Sequence, residues 1–150
     1  MELAIGARPR RLRLYLLRAK VYRRLKLWEQ ALSDLELLYA AGIEELYAEC
    51  NKLIFCILND FGVVCIQNGA YRDAIVLFNA ALSHVDGERK IYLNRGDCWL
   101  RIGRSEFALR DYSRALGLCL HEPTCRLIRG RISVVHHEMG SKAYIEGNCN

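Results

Sequence analysis

Residues 55–88, FCILNDFGVVCIQNGAYRDAIVLFNAALSHVDGE, and residues 89–122, RKIYLNRGDCWLRIGRSEFALRDYSRALGLCLHE, are two versions of one 34-residue unit. Laid over each other without a gap, they superpose Gly62 on Gly96, Gly69 on Gly103, Ala74 on Ala108 and Ala81-Leu82 on Ala115-Leu116. Phe78 falls on Tyr112 in the same shift. The spacing predicts a first helix with a small residue at position 8, a glycine turn at position 15, and a second helix with small residues at positions 20 and 27. Small residues at helical spacing let two helices approach closely, and the aromatic at position 24 fills the space between units.

Working outward, residues 12–45 fit an earlier unit, with Tyr15, Ala19, Tyr22, Trp28, Ala31 and Leu35 at the aromatic, small and packing positions. Lys26 stands where the glycine turn is expected, and the large Leu38 fills the last small position. From Ala31 to Ala74 the step is 43 residues, one period plus nine. The surplus, residues 46–54, reads as an N-terminal extension of the next first helix, IEELYAECNKLIFCILNDFGVVCIQ. Residues 123–150 read as an incomplete fourth unit and tail: Pro123 opens a helix where its missing N–H costs nothing, and Gly130 takes the small position. Gly140 comes three residues late for the turn, and no complete second helix follows. That arrangement leaves Leu127, Ile128, Ile132, Val134 and Val135 uncovered, so self-association through this end is expected. Helices are predicted near 12–25, 28–41, 43–68, 71–84, 89–102, 105–119 and 123–138, with Gly42, Gly69, Gly87 and Gly103 as stops or turns.

Composition agrees with an all-α chain: 52% hydrophobic, 26% charged, two prolines and eleven glycines in 150 residues. The net charge of +5 conceals a segregation. Residues 1–26 hold nine basic side chains and one acidic, residues 27–88 two basic and ten acidic, and residues 89–150 eleven basic and six acidic. The segment 1–11 reads as a basic extension and not as a secretory signal, because arginines interrupt the apolar run a signal needs. No apolar run of the length needed to cross a membrane appears. Seven cysteines without a CxxC, most of them inside apolar helical stretches, read as buried free thiols of a reducing compartment, the cytoplasm or nucleus. His136 and His137 are adjacent, point about 100° apart on a helix, and cannot share a metal. The tripeptide Arg95-Gly96-Asp97 places its glycine at a close-packing position. There is no phosphate loop, nucleophile elbow or HExxH, so a non-catalytic chain without cofactor or metal is expected.

The period and its residues resemble the tetratricopeptide repeat family over about residues 12–135. The resemblance implies antiparallel helix pairs stacked into a right-handed superhelix of about three and a half repeats, an α-solenoid whose first helices line a concave groove. It also implies that the groove residues are Arg13, Leu16, Leu17, Lys20, Arg23 and Arg24 from the first unit. Cys56, Asn59, Asp60, Val63, Ile66 and Gln67 come from the second, and Lys90, Leu93, Asn94, Asp97, Leu100 and Arg101 from the third. The expected role is a protein-interaction scaffold that takes a peptide or protein partner in this groove. Family members that grip a chaperone's C-terminal carboxylate use lysines and asparagines at fixed positions. Here only Lys90 matches, and Asp60 would repel a carboxylate, so chaperone tails are not the expected partner. A second reading is a nucleic-acid adaptor using Arg8, Arg10, Arg11, Arg13, Arg18, Lys20, Arg23 and Arg24. Its nearby aromatics, Tyr15 and Tyr22, are claimed by repeat packing.

Overall fold

The computed structural model describes the backbone of residues 9–148 and the side-chain surroundings of residues 10–142. Arg8 of the basic cluster and Cys149 therefore lie outside the described residues. Within them the chain forms α1 (Pro9–Arg24), α2 (Trp28–Ala40), α3 (Glu44–Gln67), α4 (Tyr71–His84), α5 (Arg89–Arg101), α6 (Ser105–Gly117) and α7 (Glu122–Asn148). Helices pair as α1 with α2, α3 with α4 and α5 with α6, and each second helix also packs on the next first helix. The first helices α1, α3 and α5 touch in succession along the inside. This is an all-α solenoid of antiparallel pairs.

The small positions are the contact points of this stack. Ala19, Ala31, Ala74, Ala81, Ala108 and Ala115 are wholly buried, and the oversized Leu38 is buried with them. A Cβ added to Gly62 would sit 2.5 Å from Phe78 Cε1, and one added to Gly96 would sit 2.7 Å from Tyr112 Cε1. Gly62 and Gly96 are thus the sockets for the aromatics of their own second helices, and both rings are fully buried.

The turns share one hydrogen-bond pattern. At Gly69, Ala70 N donates to Cys65 O at 2.8 Å and Gly69 N to Ile66 O at 3.0 Å. At Gly103, Arg104 N donates to Trp99 O at 2.8 Å and Gly103 N to Leu100 O at 3.1 Å. This Schellman closure needs a left-handed residue, which glycine adopts without steric cost. The first unit makes the same closure on Lys26, at φ 58°, with Leu27 N donating to Tyr22 O at 2.9 Å. The turn that looks irregular in sequence is therefore regular in geometry.

Two elements run past their neighbours. α3 is one continuous helix of 24 residues, as the surplus of nine implies, and its added N-terminal turns bury Leu46, Cys50 and Leu53. Tyr39 of α2 stacks on Tyr47 at 4.9 Å between ring centroids and donates its hydroxyl to Asn51. α7 differs from the expected helix near 123–138, for it continues through Gly140 to Asn148. Position 15 of the fourth unit is His137 in place of glycine, and no positive φ interrupts the helix there. Of the five apolar residues expected to be uncovered, Ile128 and Val135 are buried and Ile132 is partly buried against α6. Leu127, 71% exposed, and Val134, 53% exposed, face outward.

Two apolar side chains of α1 stand open to solvent. Leu14, at position 3 of its unit, and Val21, at position 10, are 61% and 53% exposed. Of their equivalents, Ile57, Ile91, Cys98 and Cys125 are buried and Val64 and Ile132 are partly buried. α3, α5 and α7 each pack against the second helix that precedes them.

Candidate binding groove

Side chains at the inner positions of successive first helices meet one another. Lys20 Nζ of α1 lies 3.0 Å from Glu49 Oε1 of α3, and Arg23 Nε donates to Asp60 Oδ2 at 2.7 Å. Between α3 and α5, Asn94 Nδ2 approaches Asn59 Oδ1 at 3.5 Å. Between α5 and α7, Arg131 Nη1 donates to both oxygens of Asp97 at 3.0 Å. Each of the three ion pairs among these is worth only about 0–1 kcal/mol. Their larger effect is on what charge remains free, since they occupy Asp60, Asp97 and Glu49.

Between α1 and α3 lies an open groove of about 880 Å³. Leu17, Val21, Leu53, Val63 and Val64 line it together with Trp28, whose ring stacks on Phe61 with centroids 5.7 Å apart. Lys20, Arg23, Arg24, Lys26, Asp60 and Gln67 supply the polar lining. Among the described residues Arg24 and Lys26 have no carboxylate partner, so the unneutralised charge of this groove is positive. A smaller hollow of about 310 Å³ contains Asp97, Arg101 and Arg131. There the Arg101 guanidinium lies over the Tyr71 ring, 5.9 Å from its centroid.

The sequence-derived candidates therefore divide. Lys20, Arg23, Arg24, Asp60 and Gln67 come together in the larger groove, and Asp97 and Arg101 in the smaller hollow. Arg13, Asn59, Lys90 and Asn94 line neither of these two. Leu16, placed in the groove by the resemblance, is buried in the core instead, where it packs with Leu12 and Ala19. Lys26, Trp28, Leu53, Val21 and Val64 escape the sequence reading because it transfers only fixed positions of each unit. The tripeptide at Arg95 is fully engaged: Arg95 forks onto Asp111 at 2.7 and 2.8 Å, Gly96 is buried, and Asp97 accepts from Arg131 and Tyr112. Burial first, then the Tyr112 hydroxyl's bond to Asp97, pushes the Tyr112 phenol well above its ordinary pKa. Among the described residues no group of three His, Cys, Asp or Glu side chains converges on a metal position, and no helix is long and apolar enough to cross a membrane.

No family model matches the chain. It is 33% identical over 130 residues to human tetratricopeptide repeat protein 16, a match covering 85% of this chain and 14% of that protein. Against the protein of the same name from Macaca fascicularis it is 33% identical over 129 residues, covering 84% and 14%. Against that from Mus musculus it is 30% identical over 131 residues, covering 84% and 16%. The chain thus spans about one seventh of the length of these relatives. Among solved structures, a point mutant of MamA aligns over 79% of this chain and 80% of its own at a TM-score of 0.47 and 21% identity. PcrH from Pseudomonas aeruginosa aligns over 90% and 96% at 0.48 and 14%. With its 34-residue period and its stacked helix pairs, the chain resembles an array of tetratricopeptide repeats, and it is similar over most of its length to part of tetratricopeptide repeat protein 16.

Proposed function

We propose that this array is a protein-interaction scaffold whose groove between α1 and α3 takes an acidic peptide with apolar anchors. The observation that carries the reading is the combination of an apolar lining, Leu17, Val21, Leu53, Val63 and Val64, with the cations Arg24 and Lys26. Asp60 is no obstacle to an acidic ligand, because Arg23 already neutralises it. An apolar groove with a few convergent charges is what peptide recognition needs: burial supplies affinity, and charge supplies orientation and discrimination. The same arrangement disfavours nucleic acid as the ligand. The Arg18 guanidinium lies over both Tyr15 and Tyr22, at 5.1 and 5.7 Å from their centroids, so these rings are not free to stack on bases.

Fluorescence anisotropy on the full chain tests the proposal with three labelled probes: a glutamate–leucine peptide, a lysine–leucine peptide of equal length, and a single-stranded oligonucleotide. The acidic peptide should bind saturably and more weakly as salt rises, and Arg24→Glu with Lys26→Glu should weaken it about tenfold or more. Equal binding of the two peptides overturns the proposal. Tighter binding of the oligonucleotide replaces it with the nucleic-acid reading.

A further inference from the structure

The smaller hollow, of about 310 Å³, brings together Ile66 of α3, Tyr71 of α4, Asp97, Leu100 and Arg101 of α5, and Arg131 of α7. Its three charges are not equally occupied. Both oxygens of Asp97 accept from Arg131 Nη1 at 3.0 Å, and one also accepts from the Tyr112 hydroxyl. Arg101, in the last turn of α5, has no carboxylate in ion-pair reach among the described residues. Its guanidinium is held over the Tyr71 ring, 5.9 Å from the centroid, a contact that leaves its N–H donors unspent. The charge left over in the hollow is therefore positive, and Ile66, Leu100 and Tyr71 wall it with apolar surface.

Hollow and groove are neighbours. Gln67 lines the groove and Ile66, the residue before it, lines the hollow, so the two meet across α3. Arg24, Gln67 and Arg101 each hold position 13 of their units, on the successive first helices α1, α3 and α5. Cations without a carboxylate partner thus stand on α1 and on α5, with a neutral amide on the helix between. Packed helices lie about 10 Å apart, so two steps separate the cations by about 20 Å.

We propose that the hollow at Arg101 is a second carboxylate subsite, and that the ligand is an extended segment with two acidic side chains about six residues apart, one held at Arg24 and Lys26 and the other at Arg101. The subsite rests on the peptide reading of the groove. The spacing follows from the distance, since an extended chain advances about 3.3 Å per residue and covers about 20 Å in about six steps. A helical ligand, at about 1.5 Å per residue, would need its acids about thirteen residues apart. Asp97 is no obstacle to the second carboxylate, because Arg131 already pairs with it. The apolar walls partly shield a carboxylate on Arg101 from water, which strengthens that pair over one in open solvent. Once the first acid is bound, the second binds from within the same complex, so the gain depends on the length of chain between them.

Fluorescence anisotropy on the full chain reads that dependence with four labelled peptides of equal length. All share a leucine beside a first glutamate, and one has no other charge. The others carry a second glutamate at a close spacing of about two residues, at the extended spacing of about six, or at the helical spacing of about thirteen. These three have equal charge, so only spacing separates them. The extended spacing should bind about fivefold tighter than the one-glutamate peptide, and the close spacing less than about twofold tighter. Arg101→Gln, its helical circular dichroism unchanged, should remove the gain and leave the one-glutamate peptide unaffected. Arg104→Gln, which removes an exposed cation outside the hollow, should leave the gain intact. Equal affinity at all three spacings overturns the subsite without any variant, as does a gain that survives Arg101→Gln. Tightest binding at the helical spacing overturns the extended ligand. A one-glutamate peptide that does not bind overturns the groove reading itself.

Discussion

A side chain added at Gly96 must displace the buried Tyr112 ring, whose nearest carbon lies 2.7 Å from the new Cβ. Gly96→Leu should therefore destabilise the fold by about 3 kcal/mol or more through overpacking, and exposed Arg104→Leu by less than about 0.5 kcal/mol. Urea midpoints of the two variants measure the difference. Lys26 carries the opposite kind of strain. A left-handed non-glycine residue costs about 1–2 kcal/mol, so Lys26→Gly should raise stability by about 1 kcal/mol after the added freedom of the unfolded chain is discounted. A lowered urea midpoint would contradict this. Cys98 supplies a pH signature: burial pushes its thiol from 9.0 to about 11. A buried acid with a raised pKa holds its proton more tightly when folded, so its contribution is complete below pH 9.0 and is lost as pH rises toward about 11. Tyr112 shifts in the same direction. Urea midpoints should fall over this range, and Cys98→Ala should flatten part of the fall. The glycine sockets are legible in sequence because the absence of a side chain is itself a signal. The ion pairs Arg18–Asp34 and Arg95–Asp111, both bidentate and both spanning sixteen residues, are not. They recur at positions 7 and 23 of the first and third units, but the second unit has Phe61 and Leu77 there, so aligning the second with the third hides them.

Helix ends are readable wherever the turn uses glycine. Gly42, Gly69, Gly87 and Gly103 all adopt positive φ, between 72° and 84°. The last helix departs from its sequence pattern at Gly140, a glycine without a turn: it takes no left-handed conformation, and α7 continues to Asn148. α7 also separates packing from propensity. Gly130 occupies the same position as Gly62 and Gly96, yet a Cβ there meets nothing within 4 Å. Gly130→Ala should therefore stabilise by about 1 kcal/mol, the ordinary helix-propensity gain, whereas Gly62→Ala should destabilise. Thermal melts of the two variants should move in opposite directions. The groove is half legible for a related reason. Position within the unit locates Lys20, Arg23, Arg24, Asp60 and Gln67, but the ends of the groove are made by a turn residue, Lys26, and by a second-helix residue, Trp28.

In the whole molecule, the acidic stretch 27–88 lies between two basic ones, and several pairs cross the boundaries, Arg18–Asp34, Lys20–Glu49 and Arg23–Asp60 among them. Part of the charge segregation seen in sequence is thus internal to the stack. Leu127 and Val134 lie outward on α7, on either side of the open Gly130, and form an apolar strip that is uncovered among the described residues. We expect this strip to drive association of chains at rising concentration. Sedimentation velocity should show dimers at high micromolar concentration that Leu127→Glu with Val134→Glu abolishes; a monomer throughout removes the expectation. Packing only against neighbours has a further consequence, for the chain while it is being made. A nascent polypeptide emerges at about 5–20 residues per second, far more slowly than a helix pair closes. α1 and α2 can pair as soon as they clear the ribosome, and each later pair finds its docking surface already assembled. Translation order and assembly order coincide, and no helix has to wait for a distant segment before it is buried.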